Sequence, residues 1–232
     1  MRSPAIALAA LSAVATIDDA RADTFGAQAH YLGGTTHVHQ LELAVAPGVQ
    51  EPAALAGRSP RLFGWGTLRG VDLRADLLID TSRLGLGVSY FGVDDVALRT
   101  GSLDPGLSAK AGSITGSSIE LFFGQEIGQG PVYPYIDARA AFSLLQVDVE
   151  THAEPYGHVG TTHYLGWRFG VGPRFGVLIP IGHSLTADVA VFQRLVGGVE
   201  ETTFGFGVGY WENDRTDEFS QYLRGHHLRG QI

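Results

Sequence analysis

His37-x-His39 is the pattern in this 232-residue chain closest to a metal site. Residues two apart on a strand share a face, so two imidazoles could hold one ion. Spacing identifies no third ligand, so the pair reads as surface histidines, as does His226-His227. A serine nucleophile would need a His within hydrogen-bond reach. His183 and Ser184 are sequence neighbours in an expected turn, and neighbours on a strand point to opposite faces. A protease-like site would need clustered Asp and His. Asp94, Asp95 and Asp104 fall in one expected loop and His152, His158 and His163 near another, with nothing to fix their geometry. Gly170-x-Gly172 and Gly205-x-Gly207-x-Gly209 repeat with period 2 and precede no helix, so they are not phosphate loops. No catalytic residue, metal ligand or cofactor is expected from these patterns.

Composition narrows the class further. The chain has no Cys, which excludes a disulfide framework and a thiolate zinc site. Hydrophobic residues make up 44 % and charged residues 17 %, too apolar a balance for intrinsic disorder. A net charge of −8 argues against a nucleic-acid partner, which needs a basic face. No uncharged apolar run long enough for a helical membrane span follows the N-terminus. Residues 1–22 read as a secretory signal peptide, with Arg2 as the positive flank, 4–17 as the small apolar stretch and Ala20-Arg21-Ala22 as the cleavage pattern. Residues 23–211 then form one barrel domain, and 212–232 a charged C-terminal tail.

The elements that must position any site are strands. From 164 to 179, Leu165, Trp167, Phe169, Val171, Pro173, Phe175, Val177 and Ile179 occupy one face, and Tyr164, Gly166, Arg168, Gly170, Gly172, Arg174, Gly176 and Leu178 the other, mostly glycine and arginine. The same split recurs along the chain. It predicts eight strands, over 36–46, 62–80, 83–92, 117–127, 131–149, 163–180, 184–196 and 201–211. Connections near 80–82, 128–130 and 180–183 are tight, while 47–61, 93–116 and 150–162 are expected to be long loops. Tight turns at one end and long loops at the other suit an up-and-down antiparallel barrel.

Two polarities are open to such a barrel. A soluble, lipocalin-like carrier would line its interior with the apolar rows around an apolar ligand. A transmembrane barrel would turn them outward to lipid. The apolar rows are almost uninterrupted by charge, and the opposite face combines glycine with sparse charges, which favours the second. The expected lumen network comprises the acids Glu42, Asp72, Asp76, Glu120, Glu126, Asp137 and Asp188 and the bases Arg74, Arg139, Arg168, Arg174 and Arg194. Every base is Arg, whose planar fork can bridge two carboxylates. Eight strands enclose only enough space for side chains, so a plugged interior is expected rather than a wide pore.

In this pattern the chain resembles the small bacterial outer-membrane β-barrels, namely the OmpA transmembrane-domain-like and OmpX- or OmpW-like families. The resemblance covers about 36–211. Thr203, Gly205, Val208 and Tyr210 look like the assembly signal of a final barrel strand: a polar residue, Gly two later, then apolar and aromatic residues at alternate positions. The resemblance implies an eight-stranded transmembrane barrel in contact with outer-membrane lipid and recognised by the barrel-assembly machinery. It implies export through the periplasm and a structural or surface-interaction role, with at most limited passage of small solutes. Barrel lipases, deacylases and proteases are a more distant alternative. The outer-membrane deacylases carry a His-x-Ser-Asn pattern that His183-Ser184 does not match.

Overall fold

A computed structural model describes residues 24–211 except 54, 59, 80, 102, 128–131, 182–183 and 197–198. The expected signal peptide, the C-terminal tail, His183 and His226-His227 lie outside the described residues. The described residues are all-β: β1 (Thr24–Glu42), β2 (Ala44–Val45), β3 (Arg61–Ile79), β4 (Ser82–Asp94), β5 (Ala97–Arg99), β6 (Leu107–Glu126), β7 (Tyr133–Ala153), β8 (Gly157–Pro180), β9 (Leu185–Val196) and β10 (Val199–Trp211). Eight long strands pair antiparallel with their chain neighbours, and β1 closes the ring by pairing with both β10 and β3. Closure leaves no free edge among these eight, the condition for strands in lipid. The short β2 and β5 flank the ring, on β8 and β3.

Several expected boundaries move. The first strand runs over Thr24–Glu42 rather than 36–46; Ala44–Val45 is a separate element on β8. The stretches expected as loops at 93–116 and 150–162 are largely strand. β6 already starts at Leu107, and β7 and β8 continue as a ladder to the Ala153–Gly157 pair. Lys110, expected in a loop, therefore sits on β6. These stretches carry Gly, Ser, Thr and charge because they rise beyond any apolar slab, so their alternation lacks the hydrophobic contrast that marks the lower strands.

Trp167, Phe169 and Val171 face outward, 56 %, 57 % and 50 % exposed, with Phe175 and Ile179 in the same row. Leu73, Leu86, Leu121, Phe142, Val189, Phe206 and Val208 carry this apolar exterior around the ring. From Trp167 to Ile179, a strand tilted by about 40° climbs about 30 Å, the height of a bilayer's hydrocarbon core. Tyr31, Trp65, Tyr90 and Trp167 lie on the outer face of the upper half, Trp167 stacked on Phe142 at 5.3 Å, where an interfacial girdle belongs.

Above this belt the polarity reverses. On β7, Leu145, Val147 and Val149 turn inward and are buried, while Gln146, Asp148 and Glu150 turn outward. They pack in one apolar core with Leu32, Val38, Leu43, Leu62, Leu68, Phe91, Val93, Ile114 and Tyr164. The loop after β2 supplies the fully buried Leu55 to the same core, tied down by Ala46 N–H donating to His163 C=O and Tyr164 Oη–H to Glu51. The barrel is thus polar-in and apolar-out across the belt, and apolar-in and polar-out above it.

Glycines on the inner face make room for large neighbours. A Cβ on Gly205 would stand 2.7 Å from the Phe192 ring, and one on Gly26 2.6 Å from Trp211. Gly205→Val is therefore expected to cost about 1–3 kcal/mol by overpacking, measured as the shift in urea midpoint of the barrel in detergent.

Candidate functional site

The interior across the belt is a column of ion pairs. Its side chains alternate inward from every strand of the ring, as the period-2 pattern requires. At the lower end Arg83 on β4 reaches Asp76 on β3 at 3.3 Å and Asp137 on β7 at 3.9 Å. Arg174 on β8 joins Asp137 at 3.3 Å to Asp188 on β9 at 2.7 Å. Asp188 also accepts from Tyr135 Oη–H at 2.9 Å and lies 2.7 Å from His30 Nε2 on β1. The other His30 nitrogen is 3.5 Å from Asp72, which pairs with Arg74 at 2.5 Å. Arg74 reaches Glu120 on β6 at 4.0 Å, and Glu120 also meets Arg139 and, at 3.2 Å, Arg194. Arg194 leads to Glu201 on β10 at 3.6 Å, and Glu201 to Arg168 at 2.9 Å. The chain of contacts is unbroken from Arg83 to Arg168 and touches all eight ring strands.

Aromatic rings fill the gaps between these charges. The Arg74 guanidinium sits 4.5 Å from the Phe192 centroid, and Arg83 sits 4.0 Å from that of Tyr135. Such stacking suits a weakly hydrated planar cation and leaves its edge for carboxylates. Above the column Arg168 stacks on Phe91 at 5.1 Å, where the apolar core begins.

Asp72, Arg74, Asp76, Glu120, Glu126, Asp137, Arg139, Arg168, Arg174, Asp188 and Arg194 are all buried on the inner face. Glu42 is not among them. Its side chain is 66 % exposed and pairs with Arg61 at 2.7 Å on the rim. Because β1 starts at Thr24, it has passed the belt by residue 42, after a register shift between Val38 and Leu41. Four further contributors are not among the expected network: His30, Arg83, Tyr135 and Glu201. Arg83 and Tyr135 continue inner rows already visible, two residues before Gly85 and Asp137. Glu201 likewise precedes Thr203. His30 lay upstream of the expected first strand, although Gly26, Gln28 and His30 alternate with Ala27, Ala29 and Tyr31. Among the described residues the buried interior holds seven carboxylates and six arginines, and His30 stands between two of the carboxylates.

On the final strand, Thr203 is buried and the inner-row Gly205 packs under Phe192, while Val208 and Tyr210 face outward. Of the expected loop residues, Asp104 pairs with Arg58 at 3.1 Å. His163 Nδ1 lies 2.7 Å from Asp148, and Ser113 Oγ–H donates to the same carboxylate at 2.7 Å. This order places Asp between Ser and His, so the imidazole does not contact the hydroxyl it would have to deprotonate. On the outer extension, Lys110 Nζ stands 3.0 Å from Glu150 and its hydrogen bond holds that carboxyl below the usual range. The pair's contribution is present above the ordinary carboxylate pKa and lost as pH falls through the lowered one. Lys110→Met is expected to return the Glu150 titration toward the ordinary range, read by NMR of the side-chain carboxyl.

No protein-family model matches the sequence, and no curated protein matches it. Among solved structures the chain is similar to the outer membrane protein OprG from Pseudomonas aeruginosa, at 11 % identity and a TM-score of 0.50, over 82 % of this chain and 96 % of that one. It is also similar to neisserial surface protein A, at 14 % identity and a TM-score of 0.45, over 80 % of this chain and 96 % of that one. The likeness to OprG is one of fold: this chain is an eight-stranded antiparallel barrel of the small outer-membrane type.

Proposed function

We propose that the protein is an integral outer-membrane barrel with a closed lumen, whose work is done by its outward-facing upper extension rather than by transport. The observation that carries this reading is the unbroken ion-pair column from Arg83 to Arg168, capped by an apolar core that includes the fully buried Leu55. A solute would have to break several buried charge pairs and then displace packed aliphatic side chains. The lower strands meet lipid through their apolar belt. The upper strands expose a polar surface of strand and loop to the outside, a rigid platform for contact with other molecules. Residues 1–22 direct export, and Thr203, Gly205, Val208 and Tyr210 on the final strand are read by the barrel-assembly machinery.

Planar-bilayer recording tests the closed lumen. The purified chain is expected to add no steady conductance in 1 M KCl. A reproducible ohmic step would overturn the reading in favour of small-solute passage.

A further inference from the structure

The fold supplies the third group that sequence spacing could not identify beside His37-x-His39. When β1 closes the ring against β10, His37 falls directly opposite Glu200. The nearest ligand atoms of His37, His39 and Glu200 all lie within 4.8 Å of one another. His39 Nε2 and Glu200 Oε1 are already 3.6 Å apart, and the two imidazoles meet edge to face at 4.2 Å between centroids. Ligands at about 2.0–2.1 Å on the corners of a tetrahedron stand about 3.4 Å apart, so only small side-chain rotations separate this arrangement from a three-point site.

Two further features favour an ion here. On its other side His37 stacks on Trp65 of β3, 4.3 Å between centroids with 10° between planes, which fixes the plane of one ligand ring. His39 and Glu200 are 51 % and 58 % exposed, on the rim above the belt, so an ion has an aqueous entry path. The donors are two imidazoles and one carboxylate. That set selects borderline transition metals over calcium or magnesium, which prefer all-oxygen shells.

We propose that His37, His39 and Glu200 form a surface site for a divalent transition metal of the zinc class, with the remaining coordination position open to water or to a donor from a partner molecule. The site is carried by the two strands that close the barrel, so an ion would tie β1 to β10 at the rim. It does not depend on the lumen being closed.

A second cluster, Glu150, His152 and His158, shares the same donor types. There Glu150 is engaged by Lys110 at 3.0 Å, which competes with an ion for the carboxylate. It serves as the internal control.

The test is titration of ZnCl2 into the full chain, free of any affinity tag and of chelator, in detergent micelles by isothermal calorimetry. One equivalent is expected to bind with a Kd in the micromolar range or tighter. His37→Ala and His39→Ala should each weaken binding at least tenfold, and Glu200→Gln severalfold. His152→Ala/His158→Ala and His226→Ala/His227→Ala should leave the Kd unchanged. Heat-modifiable gel mobility checks that each variant retains the barrel. A wild-type Kd weaker than the micromolar range, binding that survives His37→Ala/His39→Ala, or binding lost with either control pair would overturn the assignment.

Discussion

Arg174→Met is expected to lower the unfolding free energy of the barrel by about 3–5 kcal/mol, the cost typical of breaking a buried pair from one side. Arg174 is fully buried and holds Asp137 at 3.3 Å and Asp188 at 2.7 Å. Methionine would replace its length but leave both carboxylates short of a cation in the interior. The neutralising companion Arg174→Met/Asp137→Asn/Asp188→Asn should recover much of the loss, because removing all the charges together also removes the desolvation penalty. Reversible urea unfolding, followed by tryptophan fluorescence in detergent or lipid, measures both. A loss below about 1 kcal/mol would mean the carboxylates are solvated and the column is wet.

The second large effect lies on the outside. Val171→Arg, in the middle of the β8 belt, is expected to cost about 2–4 kcal/mol when the barrel sits in lipid. Gln146→Arg, outward on β7 above the belt, should stay within about 0.5 kcal/mol. The contrast depends on the bilayer, so the Val171→Arg penalty should shrink in a short-chain detergent. Equal costs at the two sites would contradict the position of the belt. A series of Arg substitutions down the row from Leu165 to Ile179 would map its upper boundary.

Most of the fold was legible because barrel polarity is written locally. Gly205, Gly207 and Gly209 against Phe204, Phe206, Val208 and Tyr210 identify the inner and outer faces of β10 without reference to any other strand. Eleven of the twelve charges expected on the inner face lie there for the same reason. Glu42 departs because the register shift between Val38 and Leu41 adds one residue to β1 and turns Gln40 and Glu42 outward, and a bulge leaves no mark in the local period. The upper extension was harder to read. At Leu144-Leu145 the apolar phase of β7 moves from outward to inward without a register shift. Two adjacent leucines were its only local mark. Around Lys110 the outward and inward residues are both small or polar, and the alternation has too little contrast to register.

Period and polarity are properties of a single strand, so they can be read along the chain: eight strands, a charged interior, an apolar exterior. Pairing between strands is different. His30 meets Asp188 across 158 residues, and His37 meets Glu200 only where the last strand closes on the first. Which Arg bridges which carboxylates, whether the column is continuous, and where a third metal ligand comes from all follow from register and ring closure. Those are set jointly by the eight strands, because sliding one against its neighbour by a single residue would exchange its inner and outer faces. No single strand carries that information.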